Sequence, residues 1–336
     1  MTLKELSKIL GVSPSTISRV LNDKTYSASE ANKRRILEAV STYGYTPDIG
    51  AKNLRKQTPK TQPKFTVSCI FARSTQRENN VFFEALAQQV KIGILNAGMK
   101  LGSSIYADEI SAYREEFGEL TKGHGVIVLG LFRNEQPELM KMYKKNVVCI
   151  TLNQWKMDYD QVVCDGGAAA YTALDYLHRL GHSRIAYVGE CYKEIRYTKY
   201  IEFIGNRALH SDASLTYNCR LTEEDGYNTG MKIASTVTKK ATAILCGNDI
   251  TAIGLLRAFK ERGVRVPEDI SVIAIDDIPL SQDATPPLTT VHMPMHHMCR
   301  FAVDLLKSRM MRRHTLPVQI NIPGTLTVRE STRKLN

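Results

Sequence analysis

The sequence lacks an apolar run of the roughly 18 residues that a membrane-spanning helix needs. It also lacks a basic, then apolar, leader at its N-terminus. A protein that is neither inserted nor exported is expected, and with it a cytoplasmic location. The seven cysteines, at 69, 149, 164, 191, 219, 246 and 299, are odd in number and include no C-x-x-C pair. Several stand in apolar runs such as Val67-Ser68-Cys69-Ile70, so they read as buried reduced thiols rather than a disulfide or zinc framework. No G-x-x-x-x-G-K or G-x-G-x-x-G loop offers to cradle a nucleotide phosphate, and no G-x-S-x-G elbow presents a nucleophile. His296-His297 lies among Met293, Met295 and Met298 without a metal-ligand set at zinc spacing. Neither an enzyme, a metal site nor a cofactor is expected. Internal repeats and low-complexity tracts are missing too.

What the chain does have is positive charge, unevenly placed. Its 336 residues carry a net charge of +11, and residues 1–60 hold eleven Lys/Arg against five Asp/Glu. More than half of the excess therefore sits in under a fifth of the chain, which points to an N-terminal polyanion-binding module. Within that module, Gly11-Val12-Ser13-Pro14 reads as a helix stop followed by a new start. Glycine reaches the left-handed region without a Cβ penalty, serine caps a free N–H, and proline suits the first helical position. From there Ile17, Val20 and Leu21 share one face of a short helix, while Ser15, Ser18, Arg19 and Asn22 share the other. The polar face is small and cationic, so it can approach base edges closely, and arginine reads guanine bidentately. A capping box, Thr2-Leu3-Lys4-Glu5, starts a helix before it. A third helix begins near Ser29-Glu30 and ends at Gly44. The pattern is a helix-turn-helix; a small bundle that merely packs on another domain is the plain alternative.

A weakly helical basic segment, 49–56, is too short to hold as a helix in water by itself. The polar, proline-punctuated stretch 57–63 follows as a linker. Beyond Phe65, apolar runs of strand length (Thr66–Ala72, Gly125–Leu129, Val147–Leu152, Ile185–Val188, Ala243–Cys246, Val272–Ile275) alternate with helical runs (Phe82–Asn96, Ala168–Leu180, Tyr227–Thr238, Thr251–Arg262). A further short helix is expected at Ala112–Leu120. Such alternation in about 270 residues argues an α/β core of two doubly wound parallel-sheet lobes. Ligands of such sheets bind at the carboxyl ends of the strands.

These residues resemble the LacI/GalR family of sugar-responsive repressors over essentially the whole chain. The likeness rests on the string Gly11 to Asn22, on Gly44-Tyr45-x-Pro47 and on Ala51-x-x-Leu54. It continues in Leu180-Gly181-His182-x-Arg184-Ile185-Ala186, Gly247-Asn248-Asp249, Val266-Pro267-Glu268-Asp269-Ile270-Ser271-Val272, Asp276-Asp277 and Pro286-Pro287-Leu288-Thr289-Thr290. The resemblance implies an all-α helix-turn-helix domain at 1–46, a hinge helix and linker at 47–63, and a periplasmic-binding-protein-like core at 64–336. Lobe 1 of that core would take about 64–157 plus 291–315, and lobe 2 about 158–290 plus 316–336. It further implies that Pro14, Ser15 and Arg19 face major-groove bases, while Thr2, Ser13, Thr16, Ser18 and Asn22 hold phosphates. The hinge would add Ala51, Lys52, Arg55 and a minor-groove wedge, Leu54; an interdomain packing leucine is the alternative for the last.

The resemblance also supplies effector-binding candidates: Arg196, Asn248, Asp276, Asn153, Phe82 and Leu221. Lys199 replaces a glycine usual in the family beside the arginine, and Leu221 replaces an aromatic that stacks on the sugar. Phe82, Phe83, Tyr192 and Tyr197 are the substitutes at hand. For each polar residue, a strand-end cap or turn role is the structural alternative. The short 107–124 segment, with 195–203, is most similar to repressors of the evolved β-galactosidase and galactoside-operon group, so a galactoside is the favoured effector. The implied protein is a homodimeric repressor of a sugar operon that binds a pseudo-palindromic operator and is released by the sugar. Two rivals stay open: a corepressor-dependent or activating regulator of the same fold, and a sugar-binding module whose basic N-terminus is only a tether. The tail shows no leucine heptad, which favours a dimer over a coiled-coil tetramer.

Overall fold

The structure, a computed structural model, describes residues 7–8, 10–22, 29, 32–33, 35–36, 39, 65–72, 81–106, 123–130, 146–153, 158–209 and 212–335. The chain divides into two compact units, Met1–Gln62 and Pro63–Asn336. In the first, helix α1 (Pro14–Asn22) buries Ile17 against Leu10, Ile36 and Ala39, with Val12 and Val20 at the margin. Positions 32, 33, 35, 36 and 39 are helical, in keeping with the third helix. The expected capping box at Thr2 and Glu5 lies outside the described residues, as do the hinge segment and Ala112–Leu120.

The second unit contains two six-stranded sheets of matching topology. The first is built from β1 (Thr66–Phe71), β2 (Lys100–Tyr106), β3 (Gly125–Leu129), β4 (Val147–Thr151) and β5 (Asp160–Val163), with α2 (Val81–Asn96) between β1 and β2. The second is built from β6 (Ile185–Gly189), β7 (Thr216–Asn218), β8 (Ala243–Cys246), β9 (Ser271–Asp276) and β10 (Thr289–His292). Its helices are α3 (Gly166–Arg179), α4 (Ile195–Asn206), α5 (Glu223–Ile233), α6 (Val237–Lys240), α7 (Asp249–Glu261) and α8 (Leu280–Asp283). The long helix α9 (Met295–Met310) then leads to β11 (Gln319–Asn321) and β12 (Thr325–Thr327). Strand order is β11-β5-β4-β3-β1-β2 in one sheet and β12-β10-β9-β8-β6-β7 in the other. All pairings are parallel except β10 with β12. The central strands β3, β4, β6, β8 and β9 are buried along their whole length, which is why they read as continuous apolar runs rather than alternating ones.

The chain passes between the sheets three times: after β5, after β10 and after β11. These passages lie side by side. Cys164 Sγ stands 3.6 Å from Met293 Sδ. Ile322 N donates to Val163 O at 2.8 Å, and a Cβ on Gly324 would meet Val291 at 3.0 Å and the His292 carbonyl at 3.1 Å.

This wiring corrects the expected lobe limits. β5 pairs with β4, and β11 pairs with β5, so Asp160–Val163 and Gln319–Asn321 belong to the first lobe rather than the second. β10 belongs to the second sheet as far as His292. A buried cluster explains the return of β11. Asp160 pairs with Arg309 of α9 and takes 2.8 Å hydrogen bonds from Val318 N and His314 Nε2. Charge complementarity between residues 149 apart in sequence leaves no local pattern to read. The expected helix Tyr227–Thr238 is also displaced. Thr222 caps α5 by accepting from Asp225 N at 3.1 Å, so the helix starts earlier; a turn at Thr236, whose N–H bonds to Ile233 O, separates it from α6.

Candidate functional site

Two sites emerge, one in each unit. In the N-terminal unit Gly11 has φ +66°, the left-handed conformation that ends the preceding helical turn. The first helical segment is tied off by Gly11 N to Ser7 O at 3.0 Å and by Arg35 Nη2, which donates to Leu10 O at 2.6 Å. The arginine cap was not evident from sequence, because its target lies 25 residues away. Ser13 Oγ accepts from Thr16 N at 3.1 Å and lies 2.8 Å from both the Ser15 and Thr16 hydroxyls. Ser13, Pro14 and Ser15 are exposed, and Ile17 faces the core. The side chains of Ser18, Arg19 and Asn22 lie outside the described residues, as do Thr2, Ala51, Lys52, Leu54 and Arg55. The described part of α1 thus presents a row of small hydroxyl-bearing residues beside the position of Arg19.

In the second unit a cleft of about 530 Å³, partly open to solvent, lies at the carboxyl ends of both sheets. All six sequence candidates line it: Phe82, Asn153, Arg196, Leu221, Asn248 and Asp276. Phe82 and Asn153 come from the first lobe, the other four from the second. Strand ends explain the convergence. Asn153 follows β4, Arg196 follows β6, Leu221 follows β7, Asn248 follows β8, and Asp276 ends β9. Phe83 lies beside Phe82 in edge-to-face contact, ring centres 5.5 Å apart. Gly130, Leu152 and Glu194 complete the lining, and these three were missed. Glu194 carried a signal all the same, as a carboxylate at the N-cap of a helix two residues before the arginine. Of the other aromatic candidates, Tyr192 is solvent-exposed and Tyr197 packs on Tyr187 and Tyr200. Among the described residues, the aromatic surface of the cleft is therefore supplied by the two phenylalanines. Lys199 lies on the outer side of α4 and pairs with Glu202.

The polar floor is tightly wired. Arg196 Nε donates to Glu194 Oε1 at 2.7 Å, and its Nη1 donates to the Gly247 carbonyl at 2.6 Å. Asn248 caps α7: its Oδ1 accepts from Thr251 N at 3.0 Å, and its amide donates to Leu221 O at 3.3 Å. The strand-end cap foreseen as an alternative is thus real, and the bond to Leu221 uses one of the two amide hydrogens. Leu221 lies against Gly247, where a Cβ would approach its Cδ2 to 2.7 Å.

Asp276 differs from its neighbours. Its φ is +129°, a strained position for a non-glycine residue that costs of order 1–3 kcal/mol. Its Oδ1 is buried with no hydrogen-bond partner among the described residues. Burial pushes its carboxyl well above the usual range, reinforced by Asp249 and opposed by Arg196. Asp249 is wholly buried behind it and accepts from Ile278 N, Ser281 Oγ and Thr290 Oγ1 at 3.0, 2.5 and 2.6 Å. Burial raises its carboxyl to about 6 despite those bonds. An unsatisfied carboxylate oxygen among fixed donors and acceptors is a site built to take a hydroxyl or amine hydrogen from a ligand.

Comparison with known proteins bears on both units. The family described as bacterial regulatory proteins, lacI family, matches residues 2–48. The family described as periplasmic binding protein-like domain matches residues 174–332. The chain therefore carries a lacI-family segment at its N-terminus and a periplasmic binding protein-like segment after it. The relatives it matches are transcriptional regulators. Among relatives, the transcriptional regulator GalR of Lacticaseibacillus casei is 27% identical over 98% of this chain and 99% of its own length. The repressor PurR of Vibrio vulnificus (strain CMCP6) is 26% identical over 100% and 99%. The regulator CelR in complex with cellobiose has a TM-score of 0.69 at 24% identity, covering 98% of this chain and 99% of that one. The lac repressor dimer bound to operator has a TM-score of 0.68 at 20% identity, covering 99% of each. These structures share the fold of this chain. Among the described residues, no helix is long and apolar enough to cross a membrane.

Proposed function

We propose that this chain is a lacI-family regulator, a homodimeric repressor of a sugar-utilisation operon released from a pseudo-palindromic operator when a small sugar enters the cleft. The Asp276 oxygen, without a partner among the described residues and in a cleft shared with the Arg196 guanidinium, the Asn248 amide and Phe82, carries the reading. Hydroxyl groups answer that arrangement, because each can donate to a carboxylate and accept from a guanidinium at once. Phe82 and Phe83 supply the apolar surface for a ring face. Lining residues come from both lobes, so a ligand that touches both has the differential affinity for lobe angle that a switch requires. Arg196, Asn248, Asp276 and Asn153 would contact the sugar. Pro14, Ser15 and Arg19 would read bases, and Leu54 would wedge into the minor groove.

A galactoside is the favoured effector on sequence grounds. The relatives named PurR motivate the second reading, a corepressor-dependent regulator of the same fold. Calorimetric titration with lactose, galactose, raffinose, cellobiose, sucrose and purine bases, followed by footprinting with and without any hit, separates the two. Loss of the footprint with a sugar is the expected result. A purine that strengthens the footprint would establish the corepressor reading, and binding by no sugar would overturn the first.

A further inference from the structure

We infer that Glu194 sets the charge class of the ligand, making the cleft selective for uncharged sugars over phosphorylated or carboxylated ones. This rests on the sugar-binding reading above and adds to it a residue that holds the selection. An arginine on the floor of a small-molecule cleft is by default an anion site, since its planar fork matches phosphate and carboxylate. Here that default is cancelled from within. Glu194 and Arg196 are both buried, and they pair at 2.7 Å through Nε. Nη1 is spent on the Gly247 carbonyl. Glu194 is tethered to both the backbone and the side chain of the arginine. It caps α4, with Oε1 accepting from Arg196 N at 3.3 Å, and its carbonyl holds Thr198 N at 3.0 Å and Thr198 Oγ1 at 3.1 Å.

Among the described residues, formal charges on the lining come to one cation, Arg196, against two carboxylates, Glu194 and Asp276. Even with Asp276 protonated, Glu194 alone neutralises the guanidinium. A phosphate group entering the cleft meets no net positive charge from these described residues to replace its lost hydration. A sugar hydroxyl loses little, because it can donate to Asp276 Oδ1 and accept from the remaining guanidinium hydrogens. A unit charge about 6–10 Å away, at an effective dielectric near 20, alters the binding of an anion by on the order of 10- to 100-fold.

The test compares the full-length wild type with Glu194→Gln and with Glu194→Gln/Arg196→Gln. Glutamine keeps an oxygen acceptor at the α4 N-cap, so the helix retains its start. Inorganic phosphate, glucose 6-phosphate and glucose are titrated calorimetrically into each protein. Anion binding by the basic N-terminal unit is common to all three and cancels in the comparison. Glu194→Gln is expected to gain a phosphate and glucose 6-phosphate site by on the order of 10- to 100-fold over wild type, and the double variant to lose it again. Equal phosphate affinity in wild type and Glu194→Gln would overturn the inference, as would wild type binding glucose 6-phosphate more tightly than glucose. A gain in Glu194→Gln, with no uncharged sugar bound by wild type in the wider panel, would leave the charge filter standing and overturn the sugar reading instead.

Discussion

Gly254→Ala offers a direct test of how the cleft floor is held. Gly254 lies on α7 where that helix crosses α5. A Cβ there would stand 2.8 Å from Tyr227 N and closer still to the Glu223 carbonyl oxygen. Its counterpart on α5, Gly226, faces the Thr251 backbone in the same way, with Cβ contacts of 2.9 Å to Thr251 C and Cα. Both partners are backbone, so no rotamer change can relieve the clash, and the two helices must separate. Overpacking of this kind costs typically 1–3 kcal/mol and here belongs at the upper end. The intrinsic preference of a helix for alanine over glycine returns about 1 kcal/mol. A net loss of about 2 kcal/mol is expected. Gly205→Ala provides the contrast. It lies on α4 with nothing within 4 Å of the added methyl, so the propensity gain is unopposed and stability should rise by about 0.5–1 kcal/mol. Urea titration followed by circular dichroism reads both as shifts of midpoint at constant slope. Because α7 carries Asn248 and Asp249 at its N-terminus, Gly254→Ala should also weaken the proposed sugar binding, and Gly205→Ala should not. A Gly254→Ala protein as stable as wild type would refute the close-packed crossing.

Three further outcomes follow from the structure and the sequence. The Asp249 carboxyl is raised from 3.8 to about 6 by burial. The folded state therefore binds its proton more tightly than the unfolded state, and the stability it contributes is lost as pH rises from about 4 through 6, by at most about 3 kcal/mol. Asp249→Asn should flatten that loss, read as urea midpoints at pH 4.5 and pH 7. Asp160→Ala should cost about 3–5 kcal/mol by leaving the buried Arg309 without its counter-charge, and limited proteolysis should then cut between α9 and β11. Arg19→Ala should cost about 1–3 kcal/mol at one position of a selected operator, whereas Arg55→Ala should lower the salt slope by about 1 for every sequence; electrophoretic shifts over a salt series distinguish them.

Strands with both faces buried announced themselves as apolar runs, and their carboxyl ends pointed to Asn153, Asn248 and Asp276 before any coordinates. The short turn at Gly11-Val12-Ser13-Pro14 was equally legible, because each residue has a local conformational reason to be there. What escaped was non-local. β11 is held to the first sheet by the Asp160–Arg309 pair, and nothing in 316–321 says so. Glu194 reads as an ordinary helix cap until its partner is seen to be the cleft arginine. Asp276 showed its place at a strand end but not its strained backbone or its unpaired oxygen, which arise only when β9, α4 and α7 meet.

The three adjacent passages between the lobes decide what kind of motion the core can make. One connection would let the lobes swivel freely. Three in a row, in contact at Cys164, Met293 and Gly324, resist twist and sliding and leave rotation about a single axis. A molecule seated between Phe82 and Asn248 would then be reported as one quantity, the angle at which its thickness props the lobes apart. In such a device two ligands of different chemistry but equal thickness would set the same angle. The contacts would fix how tightly a ligand is held, and its thickness would fix the message it sends.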